Sequence, residues 1–293
     1  MKASAFSYTR ASSVDDALEI LALHGDQAKV LSGGQSLMPA LNLRLSAPAL
    51  LVDIGAIAEL RGISVSDGVL RIGALTRHVD TLKSSDIAKH APLLTEAIAH
   101  VAHPAIRNKG TIGGSLAHAD PASELPACSI ALGATIVVRG KGNVRRIPAT
   151  DFFTGIYETL LSPEELLVAV EVPVAKPNSV HFFREYARRK GDYAIVGLAA
   201  SGVLERDVFT DLKLGFFAVG DKPLLAHASQ RLMGKSMTAS MLADAQAALD
   251  DELDPQEDQE ASASMRRYLA RQLMEQCVVT LLGRPDLETR KLA

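Results

Sequence analysis

Two diglycine segments of nearly the same make-up, Ser32-Gly33-Gly34-Gln35-Ser36 and Thr111-Ile112-Gly113-Gly114-Ser115, constrain this chain more than any other feature. Each places hydroxyl side chains around two residues that have no side chain, so the backbone can come very close to another group. Consecutive glycines also let successive N–H groups converge on an anion, and Gln35, Ser36, Thr111 and Ser115 can add side-chain donors. Neither segment is a G-x-G-x-x-G or a P-loop. Taken alone, such a segment reads first as an ordinary turn. Taken together, they suggest two loops on different parts of the fold, gripping the two phosphates of one pyrophosphate from opposite sides.

The surrounding pattern says what those parts are. Ser13, with Asp16 three residues on as its reciprocal partner, opens a helix carrying Val14, Ala17, Leu18 and Leu21 at helical spacing, and Gly25 stops it. Ala28-Lys29-Val30-Leu31 reads as a strand running into the first loop. Residues 37–45 follow as a helical or irregular apolar segment, and residues 50–54 as another buried strand. Strand, helix and strand in alternation predict a small parallel α/β unit over about residues 1–55.

Residues 56–176 read as a mainly antiparallel α+β unit. Asp67-Gly68 sits between two short apolar runs as a hairpin turn. Residues 92–101 are expected to be helical, then the second loop, then a helix over 122–132. Residues 135–138 and 144–147 form a second hairpin, and residues 166–172 a closing strand. The prolines at 173 and 177 mark a boundary. Beyond it, residues 177–293 predict a C-terminal domain of antiparallel strands followed by helices. There the acidic run 250–260 reads as a solvated linker. The last helix is expected to place Met265, Tyr268, Leu269, Leu273, Cys277 and Leu281 on one buried stripe.

The chain of 293 residues carries a formal charge of −3, which argues against a nucleic-acid groove. Cys128 and Cys277 lie far apart without a C-x-x-C, so neither a disulfide framework nor an iron–sulfur site is encoded. The first ten residues lack the apolar core of a signal peptide, and no apolar run approaches the roughly 18 residues of a membrane span. A soluble cytoplasmic protein is expected. His100, His103 and His118 have no acidic or thiol partner at metal-ligand spacing, so no metal site is assigned. No catalytic dyad is assigned either. The string Arg188-Arg189-Lys190-Gly191-Asp192-Tyr193 reads either as a solvated face or as a loop that meets a charged partner and offers Tyr193 as a flat ring. Asp120, Ser123 and Glu124, just past the second loop, suit the hydroxyls of a ribityl or ribose group, and equally the first turn of a helix.

These motifs, with the run to Pro126 and with Glu185-Tyr186-Ala187-Arg188-Arg189-Lys190-Gly191-Asp192-Tyr193-Ala194, resemble the FAD-binding medium subunit of the molybdenum hydroxylases. This is the xanthine dehydrogenase and carbon monoxide dehydrogenase family, and the resemblance covers nearly the whole chain. Residues 99–103 and 114–120 look most like the branch that hydroxylates N-heterocyclic aromatics, such as quinoline 2-oxidoreductase and nicotine dehydrogenase. Gln35 and Ser115 depart from the carbon monoxide dehydrogenase pattern, where His and Asn are more frequent.

The resemblance implies a PCMH-type FAD-binding domain over 1–176, in two subdomains, and a C-terminal flavoprotein domain. It implies FAD held by Lys29, Val30, Leu31, Ser32, Gly33, Gly34, Gln35 and Ser36 on one side and by Gly110, Thr111, Ile112, Gly113, Gly114 and Ser115 on the other. Val101 and Ile106 would pack on flat parts of FAD, Asp120 and Glu124 would meet its hydroxyls, and Leu161 and Tyr193 would lie near the isoalloxazine. It also implies a large molybdopterin subunit and a small subunit with two [2Fe–2S] clusters as partners, in a dimer of heterotrimers. Electrons would enter from those clusters and leave to an external acceptor. A stand-alone FAD oxidoreductase and a nucleotide-binding module without redox activity are the competing readings. In either flavin reading, a Cβ on Gly114 is expected to occupy the space the phosphate needs.

Overall fold

The computed structural model describes residues 2–288; Met1 and residues 289–293, the outer ends of the two expected domains, lie outside them. The first unit comprises β1 (Ser7–Arg10), α1 (Val14–His24), β2 (Ala28–Leu31), α2 (Leu37–Asn42) and β3 (Leu50–Asp53). Its sheet runs in the order β1-β3-β2, both pairs parallel, with Ser7 and Ala28 each in register with Leu50. The parallel α/β unit is therefore present, with one strand more than the sequence suggested. Strand β1 is an edge strand that is mostly exposed, so it carries no apolar run to read.

The buried face of α1 is the expected one: Val14, Ala17, Leu18 and Leu21 pack with Val52 and Ile54. The Ser13 hydroxyl accepts from the Asp16 amide at 3.1 Å. The Asp16 carboxylate does not return the bond to Ser13; it accepts from the amide and the hydroxyl of Ser12, each at 2.8 Å. Helix α2 is short. Arg44, at φ 59°, turns the chain, and Leu43 and Leu45 are left exposed rather than buried.

The second unit contains β4 (Ile63–Ser66), β5 (Val69–Gly73), α3 (His78–Lys83), α4 (Ser85–His90), α5 (Pro92–Ile98), α6 (Pro104–Arg107), α7 (Ile112–His118) and α8 (Glu124–Ala131). Next come β6 (Thr135–Gly140), β7 (Asn143–Pro148), α9 (Ala149–Phe152), β8 (Phe153–Gly155), β9 (Glu158–Thr159) and β10 (Leu166–Pro173). Five strands form one antiparallel sheet in the order β4-β5-β10-β6-β7. Asp67 and Gly68 both take positive φ, as a two-residue hairpin turn requires.

The third region holds the antiparallel sheet β11 (Ser179–Ala187), β12 (Ala194–Glu205), β13 (Val208–Phe217) and β14 (Leu224–Leu225), then α10 (Ala239–Glu252) and α11 (Ala263–Leu282). Helix α8 contacts β12 and β13 as well as α5 and α7, which explains why every residue from Leu125 to Ala131 is buried. The core of the second unit thus continues into Phe183, Ala194, Ala199 and Phe217.

One expectation in this region changes and another is sharpened. On α11, Met265 and Tyr268 are exposed, and the buried stripe instead takes in Ala270, Leu273, Met274, Cys277 and Val278. The acidic run is the mostly exposed linker expected between α10 and α11, but its first residues belong to α10 and the carboxylates of Asp250 and Asp258 are tied down. Asp250 accepts from Arg271 at 2.7 Å, and Asp258 accepts from Arg266 at 2.6 Å and from the amides of Glu260 and Ala261. Leu253 is buried with the core.

Candidate cofactor-binding site

The first glycine loop leaves the C-terminal end of β2, where open parallel strands present their loops to ligands. Gly34 sits at φ +71°, a conformation that favours glycine. Among the described residues, the amides of Ser32, Gly33, Gly34, Gln35 and Ser36 donate no hydrogen bond within the chain. The Gln35 side chain turns back, its Nε2 donating to the Gly33 carbonyl at 2.8 Å, so it braces its own loop. Ser36 is exposed and its hydroxyl does not cap α2.

The second loop is built differently. The Gly110 amide donates to the Ile106 carbonyl, Ile112 to Thr76 and Gly113 to Ala74, at 2.8, 3.0 and 2.9 Å. The Gly114 amide donates to Thr111 Oγ1 at 3.1 Å, and Ser115 to the Thr111 carbonyl at 3.0 Å. These amides have their partners already. A Cβ on Gly113 would lie 2.6 Å from the Ala74 Cβ and 2.8 Å from its Cα, so this glycine serves close backbone packing. What the loop turns outward is side-chain hydroxyl: Ser115 Oγ lies 3.1 Å from Ser123 Oγ.

The two loops touch. Ser32 Oγ and Thr111 Oγ1 are 2.7 Å apart. A Cβ on Gly33 would collide with the Lys109 carbonyl and would stand 2.9 Å from the Gly110 Cα. A Cβ on Gly114 would stand 2.8 Å from Thr111 Oγ1 and 3.7 Å from Ser32 Oγ. The side chain expected to displace a phosphate at this position would therefore strike the hydroxyl pair first.

The other anticipated residues surround this junction. Lys29 is exposed on β2, Val30 and Leu31 are half-buried, and Leu31 lies against Gly34. Val101 packs on the core, and Arg107 Nη1 donates to the carbonyls of Val101 and Ala102, at 2.8 Å each, which pins the turn before α6. Ile106 sits on α6, its carbonyl fixing the amides of Lys109 and Gly110. Gly191 is pressed against the Ala102 carbonyl and the His103 ring, so the 188–193 loop packs on that same turn. Its arginines are paired, Arg188 with Glu260 and Arg189 with Asp192, while the Tyr193 residue is 72% exposed. Leu161 is half-buried against the core.

Asp120 accepts from the Ala122 amide at 2.9 Å and from the Tyr157 hydroxyl at 3.4 Å, and the Tyr157 ring stands 4.8 Å from the ring of His118. Partial burial, then the charge of Asp120, push the Tyr157 phenol up to about 12. Burial lowers His118, with Asp120 opposing and Lys29 adding to the shift. Glu124 opens α8. Burial first, then the negative charges of Glu185 and Asp120, push its carboxyl up to about 8, so it carries a proton at neutral pH. Glu185 Oε1 is 3.3 Å from His100 Nδ1, and its buried Oε2 has no hydrogen-bond partner among the described residues.

The histidines that invited a metal reading are separately placed: His100 beside Glu185, His118 against Tyr157, and His103 exposed before α6. Among the described residues, no group of three or more His, Cys, Asp or Glu side chains is arranged to hold a metal. Sequence reasoning missed Arg107 and Tyr157. Arg107 offers no signal, because its carbonyl partners are chosen by a turn. Tyr157 had one in its position, an aromatic residue directly after Gly155-Ile156 in the β8–β9 hairpin. The unspent amides, the neutral hydroxyls and the tight glycine contacts fit the pyrophosphate of a dinucleotide cofactor.

Residues 4–175 match the family model described as the FAD binding domain in molybdopterin dehydrogenase, and residues 181–281 match that of the CO dehydrogenase flavoprotein C-terminal domain. The chain is 40% identical over 287 residues to the 6-hydroxypseudooxynicotine dehydrogenase complex subunit alpha of Paenarthrobacter nicotinovorans, covering 97% of each chain. Its structure is similar to a carbon monoxide dehydrogenase chain from Hydrogenophaga pseudoflava, in an enzyme that lacks the Mo-pyranopterin moiety of its molybdenum cofactor. There the TM-score is 0.94 and the identity 34%, over 97% of this chain and 99% of that one. It is also similar to a chain of quinoline 2-oxidoreductase from Pseudomonas putida 86, with TM-score 0.90 and 38% identity over 97% and 99% of the two chains. Among the described residues, no helix is long and apolar enough to cross a membrane.

Proposed function

This chain belongs to the family of FAD-binding medium subunits of molybdenum hydroxylases, and from that membership we propose where it holds FAD and how it is wired to its partners. The first loop, residues 32–36, supplies backbone N–H groups to the pyrophosphate, and the second loop supplies shape and hydroxyls. Lys29, Val30 and Leu31 flank the first loop, and Ile112 and Gly113 seat the second on the sheet below it. Val101 and Ile106 pack on flat parts of the cofactor, Asp120 and Glu124 meet its hydroxyls, and Leu161 and Tyr193 lie beside the isoalloxazine. FAD supplies the redox chemistry when bound; the chain binds it, orients it and shields it.

Electrons arrive from the [2Fe–2S] clusters of a small partner subunit and leave to an external acceptor, while a large molybdopterin subunit oxidises the substrate. An N-heterocyclic aromatic is the proposed substrate class, supported by the likeness to nicotine- and quinoline-converting relatives. The assembly is a dimer of heterotrimers in the cytoplasm. The chain divides at residue 176 into FAD-binding and C-terminal domains, the former in subdomains over about 1–55 and 56–176.

One observation carries the reading most strongly: five consecutive amides beside a glycine junction have no hydrogen-bond partner among the described residues. The visible absorption spectrum of the purified chain, before and after incubation with FAD, tests it. A flavin spectrum that survives gel filtration is expected; colourless protein that cannot be reconstituted contradicts it. Turnover of an N-heterocycle by this chain without molybdenum or iron–sulfur partners would overturn the subunit assignment.

A further inference from the structure

The Thr111 hydroxyl has one proton to give and two lone pairs to offer. One lone pair takes the Gly114 amide at 3.1 Å, and the only other hydrogen-bond partner of this oxygen among the described residues is Ser32 Oγ at 2.7 Å. Thr111 is 5% exposed, whereas Ser32 is half-buried beside the unspent amides of its loop. Were Ser32 the donor, the buried Thr111 proton would be left without an acceptor, the unfavourable state for a buried donor. With Thr111 as donor, the unspent proton sits on Ser32, at the open side of the junction. The direction of this bond is therefore set by burial.

We infer that Thr111 is a positioning residue: it turns the Ser32 hydroxyl proton outward, so the first loop's grip on a pyrophosphate depends on a side chain of the second. This rests on the proposed FAD site. It assigns Thr111 to the bracing of the cradle rather than to direct contact with the phosphate. The close approach of Gly33 to Lys109 and Gly110 holds the two hydroxyls within reach, so the device needs both loops in register.

A double-mutant cycle on the full-length chain tests it, reading the FAD dissociation constant by quenching of flavin fluorescence and the unfolding midpoint of the flavin-free protein. Ser32→Ala is expected to weaken FAD binding about 10-fold, the scale of one hydrogen bond to a charged group. Thr111→Val is expected to weaken it at least as much, and Thr111→Ser, which keeps the hydroxyl, to stay within about twofold of the unaltered chain. The double variant should be no weaker than Thr111→Val alone, because the Ser32 proton is already misdirected. Losses that multiply to about 100-fold would mean independent contacts and overturn the proposal. So would a Thr111→Val chain that binds FAD normally. If the valine variant does not fold, Thr111→Ala takes its place in the cycle with the same expectations. An unaltered chain that takes up no FAD would overturn the FAD site itself, and this result is distinguishable from the others because it appears before any substitution.

Discussion

The two diglycine loops look like copies and are built as opposites. In residues 32–36 the amides are unspent and Gly34 holds a positive φ. In residues 110–115 the Gly110 amide and those from Ile112 to Ser115 are committed to carbonyls or to the Thr111 hydroxyl, and Gly113 is wedged against Ala74. One loop is organised to offer hydrogen bonds, the other to hold a position. Similar sequences therefore took different roles according to what lies beneath them: the open end of a small parallel sheet in the first case, the turn after β5 in the second.

Substitutions at matching glycines should separate these roles. Gly113→Ala is expected to have the largest effect, about 3 kcal/mol of lost stability, because the new methyl meets backbone that cannot yield. Its check is chemical denaturation of the flavin-free chain. If that variant is as stable as the original, the second loop is not the anchored one. Glu124→Gln comes next and probes the ground behind that loop. The Glu124 pKa is raised from 4.5 to about 8 on folding, so its burial costs stability progressively as pH rises through that window, when only the unfolded chain ionises freely. The glutamine variant should gain about 2 kcal/mol at about pH 6.5 relative to pH 4.5, read from unfolding midpoints across pH. An unchanged slope would place the proton elsewhere.

Gly34→Ala should cost about 1 kcal/mol of stability from its positive φ, yet weaken FAD about 10-fold by tilting the amides. Calorimetric titration with FAD reads the affinity, and chemical denaturation of the flavin-free chain reads the stability. The smallest effect is expected from Tyr157→Phe, whose exposed 3.4 Å bond to Asp120 contributes under about 0.5 kcal/mol. A larger loss in thermal stability would mean that the β8–β9 hairpin braces the site.

Much of this architecture was legible because local chemistry and tertiary demand agree. The α1 stripe, the Asp67-Gly68 hairpin and the strand into the first loop are each over-determined by cap, turn and apolar pattern. The site's division of labour was not legible. Whether an amide is spent depends on a carbonyl from elsewhere, such as Ala74 or Thr76, and no local pattern carries that information. The same holds for Arg107, whose partners are backbone carbonyls, and for α11, where packing against β11 and β12 rotated the buried stripe away from Met265 and Tyr268.

Amide hydrogen exchange, followed by mass spectrometry on the full-length chain with and without FAD, reads the difference between the loops directly. Without FAD, the amides of residues 32–36 should exchange fast and those of residues 112–115 slowly; with FAD, only the first group should become protected. Equal protection of the two loops in the flavin-free chain, or a first loop that FAD leaves fast, would contradict the assignment of the amide cradle to residues 32–36.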